Sequence, residues 1–559
     1  MGLRLRLPIC ALLVLVTLNG CALLNRRSVQ EVLAIAVQDG DRELRTPMRA
    51  IRGGTRVLVF ALDGVGHDNF LEAVRSGRMP RTADLMGDET DEEGTFDRAY
   101  SAADVLSVLP SSTTAAWIST FTGEPPGETG VPGNEWFDRD TLSFYAPNPV
   151  TTDRRYQVLR SYNEDWLGEL VRVPTLYERA SVRSHVSLLQ VYRGADMLNI
   201  PEVEPFGTLF NAALRDVLGA DSAMYRFYEN VDEVSIKSLD ESLYRYGMAD
   251  LQVVYFPGID LFTHIAPSPI TSQRRYLEKV IDPAIGRVLD RYEEGGVLER
   301  TYVLFISDHG QTPVVPEERN ALWREGDDKP PELLRKAGFR VRPRSLKIGD
   351  GDGDFQAVLA MQGGMAYVYL ADRSTCPATG MRCDWRRPPR VEEDLMAVVR
   401  LFEEATRTGA HVPELKGTLD LVLARPGAAP GDDAPPFQVF DEERLVPIDT
   451  YLRQRPRPDL LDFERRLEDL ATGPFGYLAG DVLLLSRMRL DEPIEDRTYF
   501  GEAHHSWHGS ANRQDSRVVM VLAHTAGSGS ILKDVAREAL GRRPLQTKVT
   551  PLILELLDR

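Results

Sequence analysis

Three apolar runs in this chain end alike. Val57-Leu58-Val59-Phe60-Ala61-Leu62 leads into Asp63-Gly64. Leu251 to Phe256 leads into Pro257-Gly258-Ile259-Asp260, with His264 one helical turn further on. Tyr302 to Ser307 leads into Asp308-His309-Gly310. Short continuous apolar runs predict strands buried on both faces of a parallel sheet. Open α/β sheets bind ligands beyond the carboxyl ends of their strands, so the three aspartates are expected to converge there. Carboxylates gathered among imidazoles repel one another unless a cation lies between them. The pattern therefore points to a metal-dependent hydrolase of the α/β class, with a large, mostly parallel sheet flanked by helices.

Other segments fill in that frame. Helical spacing is clear in Arg274–Tyr292, where Leu277, Val280, Ile281, Ile285, Val288 and Leu289 recur on one face. Thr113–Phe121 predicts a helix, and residues 173–200 a helix followed by a strand over His185–Val191. Arg517–Ala523 reads as the last core strand, with closing helices over Val535–Leu540 and Val549–Leu557. Between Asp308-His309 and that strand the character changes. Short strands (Met365–Leu370, Leu419–Ala424) and a helix (Val391–Ala405) are separated by long Pro/Gly/Asp loops. The expected division is a signal segment over 1–21, a tether with a short helix (Val29–Val37) over 22–54, and a first core part over 55–334. An inserted, cap-like α+β region follows over 335–500, and the last core part over 501–559. The charge run Asp88–Glu93 reads as a solvated loop. Asp350, Asp352 and Asp354 invite a calcium loop, but Phe355 and Met361 stand where its glycine and glutamate belong, so a solvated turn is expected.

Charge and cysteines narrow the partners. The net charge of -18 over 559 residues argues against a nucleic-acid polymer or an anionic membrane surface as the main partner. Arg4 and Arg6 precede an apolar stretch, Ile9–Leu18, too short to span a bilayer. It ends in Leu18-Asn19-Gly20-Cys21, which resembles the bacterial lipobox, in which the cysteine carries lipid and becomes the first mature residue. With Ala22 rather than Asp after it, that resemblance implies an outer-membrane lipoprotein facing the periplasm. Export leaves Cys376 and Cys383, separated by a Pro- and Gly-containing turn, which read as a local disulfide.

Leu109-Pro110-Ser111-Ser112-Thr113-Thr114 opens a predicted helix, whose first turn offers backbone N–H groups and a positive dipole end to an anion. In chain order stand Asp63-Gly64, Pro110-x-x-Thr113, Thr122-Gly123 through Gly133-Asn134, Asp260 with His264, Ser307-Asp308-His309-Gly310, and His508-Gly509-Ser510. Together they resemble the alkaline phosphatase superfamily, in its type I phosphodiesterase/nucleotide pyrophosphatase branch. The resemblance implies two zinc-like ions, one held by Asp260, His264 and His508, the other by Asp63, Asp308, His309 and the Thr113 oxygen. It implies that Thr113 is the nucleophile in a covalent phospho-threonine mechanism and that Asn134 bonds a phosphoryl oxygen of a small phosphoester. Arg193 is a further candidate for the phosphate, His504 and His505 are read as neighbours of the ligand His508, and His67 as a surface-loop residue. One departure stands out: nucleotide-cleaving relatives usually follow the nucleophile with an aromatic residue, and here Thr114 follows. A phosphomonoesterase of the same fold and a non-catalytic envelope lipoprotein are the competing readings. The sequence leaves the oligomeric state open.

Overall fold

The computed structural model describes residues 41–148, 150, 161–162, 164–200, 221–323, 329–343, 354–431 and 434–559. The signal segment, the lipobox, the Val29–Val37 helix and Asp350 and Asp352 lie outside these residues. Eight strands form the main sheet, in the order Arg42–Glu43, Met197–Asn199, Ser184–Ser187, Leu251–Phe256, Arg56–Leu62, Thr301–Ser307, Met520–Ala523, Ala99–Ser101. The three Asp-bearing strands lie side by side and parallel, with Leu62 in register with both Phe256 and Ser307. Strand Met520–Ala523 runs antiparallel to both its neighbours.

The alternation along the central strand explains why its sequence is apolar throughout. Val57, Val59 and Ala61 enter one core, whereas Leu58, Phe60 and Leu62 enter the core on the opposite face. On that second face Phe60 stacks on Phe305 of the next strand, with ring centroids 5.4 Å apart. The Arg274–Tyr292 pattern belongs to a longer helical path: Pro269–Tyr276, a π-helical stretch Leu277–Ile281, then Asp282–Glu294.

Two expected boundaries shift. The stretch assigned to the tether is built into the fold from Arg42 onward. Arg42–Glu43 adds a strand to the sheet, Arg49 pairs with the buried Asp196 at 2.9 Å, and the Arg52 amide caps the buried Asp250 carboxylate at 3.0 Å. Buried carboxylates need such donors, and the Arg-rich stretch supplies them. The inserted region likewise begins earlier than residue 335, because Leu322 and Trp323 already sit in its core and Ala321 bridges Tyr499.

The insert is more regular than its loops suggest. It forms a six-stranded antiparallel sheet, in the order Ala357–Met361, Met365–Leu370, Val482–Ser486, Leu419–Ala424, Gln438–Asp441, Arg444–Pro447. One face (Ala366, Val368, Leu484) is covered by Val398, Val399 and Phe402 of the helix Ala397–Thr408. The other face (Tyr367, Tyr369, Leu485) joins the same hydrophobic core as Val57 and Val59. Insert and main sheet therefore share one core. Cys376 and Cys383 are disulfide-bonded and buried within that core.

Candidate metal centre

The strand register places Asp63 and Asp308 at the same level, each directly after its strand. Gly64 then turns the chain with φ +69°, and a Cβ there would collide with Asp260 Oδ1, so only glycine lets the two loops meet. Asp260 and His264 both come from the helix Gly258–Ile265, on the same face. His508 arrives on the loop between the insert and the last strand. Asp260, His264 and His508 bring one ligand atom each within 4.8 Å of one another, and so do Asp63, Asp260 and His309. Asp260 thus belongs geometrically to both groups. The His309 and His508 rings stack with centroids 3.7 Å apart, linking the two groups.

Each histidine is held in the same way. Nδ1 of His264 lies 2.7 Å from the Ser506 carbonyl, Nδ1 of His309 3.0 Å from the Gly310 carbonyl, and Nδ1 of His508 3.0 Å from the Ser111 carbonyl. A carbonyl only accepts, so each Nδ1 carries a proton and Nε2 is the ring atom left to face inward. His309 Nε2 then lies 3.6 Å from Asp63 Oδ1 and 3.3 Å from Asp308 Oδ2, and His264 Nε2 lies 3.4 Å from Asp260 Oδ2. Asp63 Oδ1 and Asp308 Oδ2 are buried without a hydrogen-bond partner among the described residues. Acceptors facing acceptors in a buried site are satisfied by a cation, and the Asp/His donor set fits a divalent metal.

The electrostatics carry the same message. Burial raises Asp63 well above the ordinary carboxylate value, and the charges of Asp308 and Asp260 raise it further. Burial also pushes Asp308 up to about 6. Asp260 feels the same burial, but His264 beside it outweighs that and holds it below its ordinary value. His508 is driven well below the usual imidazole value by burial and by His309. Beside His264 the opposite holds: burial lowers that imidazole, but Asp260 outweighs it and raises it. Crowded buried carboxylates and a neutral His508 suit a bound cation.

Thr113 begins the helix Thr113–Thr122, and its Oγ1 lies 3.2 Å from His309 Nε2. It is only partly buried, whereas Asp63, Asp260, His264, Asp308, His309 and His508 are all buried. Asn134 accepts the Thr114 amide on Oδ1 at 2.9 Å. The Thr114 hydroxyl accepts from Asn148 at 2.9 Å, so the position beside Thr113 is polar.

Four further residues shape the site. Tyr255 donates its hydroxyl to Asp63 Oδ2. Gln311 donates to Asp260 Oδ1 at 2.5 Å. Gln362, in the first hairpin of the insert, accepts the Asn134 amide at 2.7 Å, and the adjacent Gly364 amide donates to the His508 carbonyl at 2.7 Å. Tyr255 and Gln311 carried a readable signal, a polar group inside or beside a buried strand. Gln362 carried none, since its partner is 228 residues away.

Two candidates fall elsewhere. Arg193 does not face the site: its guanidinium bonds Glu178 and the carbonyls of Gly168, Val171 and Val173, which occupies all five N–H donors. It stitches a surface loop. His67 is not a surface-loop residue. It starts the helix His67–Arg75, is buried, and meets Ser101 Oγ at 3.1 Å. His504 lies with its ring 5.6 Å from that of His264, and the His505 amide donates to the His264 carbonyl.

A parallel sheet that gathers two Asp/His groups at its carboxyl edge, with a helix-opening threonine against one of them, defines a phosphoester hydrolase of the alkaline-phosphatase-like fold. The type I phosphodiesterase/nucleotide pyrophosphatase family matches residues 57–362, more than half of the chain. The chain belongs to this family, within the alkaline phosphatase superfamily, and is a phosphoric ester hydrolase. Among solved structures it is similar to phosphonoacetate hydrolase from Sinorhizobium meliloti 1021 in complex with phosphonoformate, at 15% identity over 91% of this chain and 99% of that one, with a TM-score of 0.46. It is also similar to murine ectonucleotide pyrophosphatase/phosphodiesterase 5, as an inactive variant in complex with AMP, at 11% identity over 90% and 95% of the two chains, with a TM-score of 0.47.

Proposed function

We propose that this protein is an exported phosphodiesterase that uses Thr113 as nucleophile and holds two zinc-like ions. The observation that carries the reading is the common orientation of three buried histidines. Each gives its Nδ1 proton to a backbone carbonyl, and His264 and His309 present Nε2 to buried carboxylate oxygens. Asp260, His264 and His508 would hold one ion; Asp63, Asp308, His309 and the Thr113 oxygen would hold the other. Borderline ions such as zinc suit these nitrogen and oxygen donors. When bound, such ions lower the pKa of a coordinated hydroxyl or water and offset charge building on the phosphoryl oxygens.

The chain's own residues do the rest. Thr113 Oγ attacks phosphorus and gives up its proton to solvent, the bond to the leaving oxygen breaks, that oxygen takes up a proton, and a phospho-threonine ester forms. Water then attacks that phosphorus, the bond to Oγ breaks, and Oγ regains its proton. Asn134 is tied through Oδ1, which orients its amide nitrogen for a phosphoryl oxygen. The start of the Thr113 helix offers its dipole to the same anion.

The diester preference rests on charge. Among the described residues, those grouped beside Thr113, including Thr114, Trp117, Leu189, Gln190 and Tyr255, are neutral, which supports the diester reading. A doubly charged monoester would ask for cationic donors there. The zinc-loaded protein is expected to cleave an aryl phosphodiester with higher kcat/KM than the matching phosphomonoester, with a dinucleotide assayed alongside. A preference for the monoester would reverse this assignment.

No helix among the described residues is long and apolar enough to cross a membrane. Attachment through lipid on Cys21, at an outer membrane facing the periplasm, is supported by the Leu18-Asn19-Gly20-Cys21 motif. Cys21→Ser is expected to abolish labelling with a radioactive fatty acid in cells, and persistent labelling would refute the anchor.

A further inference from the structure

The inserted region reaches behind the nucleophile with a buried arginine. Arg466 lies on the helix Phe463–Ala471 and is fully buried. Its Nη2 donates to the Val108 carbonyl at 3.1 Å and to the Ser111 hydroxyl at 2.8 Å. Its Nη1 donates to the Leu461 carbonyl at 3.0 Å and to the Ser516 hydroxyl at 2.8 Å. All four acceptors are neutral. The facing carboxylate, Asp515, is reached through two serines: Ser111 Oγ donates to the Ser510 carbonyl at 3.0 Å, and the Ser510 hydroxyl donates to Asp515 at 2.7 Å. Burying a guanidinium without a carboxylate against it is costly, and an apolar side chain would fill the space with less penalty.

What the arginine holds is the segment that organises the site. Ser111 stands two positions before Thr113, and its carbonyl takes the Nδ1 proton of His508. One residue thus joins the arginine, the nucleophile's loop and a candidate metal ligand. We propose that Arg466 is a positioning residue for the reaction, fixing Ser111 so that its carbonyl orients His508 toward Asp260 and His264 while Thr113 is set against His309. This rests on the reading of His508 as a metal ligand. The insert then braces the site from behind, in addition to its contact with Asn134 through Gln362.

The test compares full-length wild type, Arg466→Gln, Ser111→Ala and His508→Ala, measuring zinc affinity by chelator competition and kinetics on an aryl phosphodiester. Arg466→Gln and Ser111→Ala are expected to weaken one of the two zinc ions and to lower kcat, each by about ten- to a hundredfold. KM should stay within about threefold, because substrate is not touched. If Arg466→Gln does not fold, Ser111→Ala decides alone, since it removes one hydroxyl and keeps the carbonyl that holds His508. Variants that bind both ions and turn over within about twofold of wild type overturn the proposal. His508→Ala separates the two levels. Loss of one ion there, with Arg466→Gln and Ser111→Ala unaffected, defeats only the role of Arg466; retention of both ions defeats the metal assignment beneath it.

Discussion

Thr113→Ala is expected to remove turnover of an aryl phosphodiester, by roughly a thousandfold or more, while the protein keeps its fold and its metal. The Thr113 hydroxyl meets His309 Nε2 and is partly exposed, whereas Asp63, Asp260, Asp308 and His309 are buried. Its loss creates no large cavity, so a stability change within about 1 kcal/mol is expected. Steady-state kinetics and a thermal melt on the same preparation separate the two effects. On the proposed mechanism Thr113→Ser retains a nucleophile and recovers much of the rate. Full activity in Thr113→Ala would exclude the covalent route through Thr113.

Chelation is expected to have the second large effect, on activity and stability together. An ion held at a thousand times its dissociation constant contributes about 4 kcal/mol per site to the folded state. Removing it leaves Asp63, Asp260 and Asp308 facing one another in a buried space. In the metal-free protein Asp308 sits at about 6, raised by burial from an ordinary 3.8, and Asp63 is raised as well. The folded state then binds more protons than the unfolded one between these values. The stability that protonation supplies is present at low pH and is lost as pH rises through about 6. Metal removes this dependence by keeping the carboxylates ionised. The gap between the melting temperatures of zinc-loaded and chelated protein should therefore widen from pH 5 to pH 7.5. A gap that narrows over that range would contradict the placement of these carboxylates at the metal.

The main sheet and most of the site were legible because they are written in local pattern. A run such as Val57–Leu62 is buried on both faces, so its apolar continuity survives without context, and the residue that follows must lie at the sheet edge. The order of motifs then singled out Thr113 and His508; Thr113 lies against His309, and His508 stands with Asp260 and His264. What was not legible acts across long sequence separations. Gln362 and Arg466 reach the site from the insert, and their neighbours in sequence show nothing of this. Arg193 followed a strand-like run and so looked placed for a phosphate, yet Glu178 and three carbonyls claim it. His67 followed the Asp63-Gly64 turn, and burial against Ser101 cannot be read from one strand's pattern. The insert's sheet was half visible: Met365–Leu370 and Leu419–Ala424 read as strands, but their antiparallel partners come from up to 120 residues away along the chain, as where Met365 pairs Leu485.

The proposed centre holds two ions, one on the His508 side and the other on the Asp308 side. Its most direct test is elemental analysis after equilibrium dialysis against zinc, on wild type, His508→Ala and Asp308→Asn. That division requires about two zinc ions per wild-type chain and about one in each variant. A wild-type chain that retains no ion, or variants that both retain the wild-type number, would contradict it.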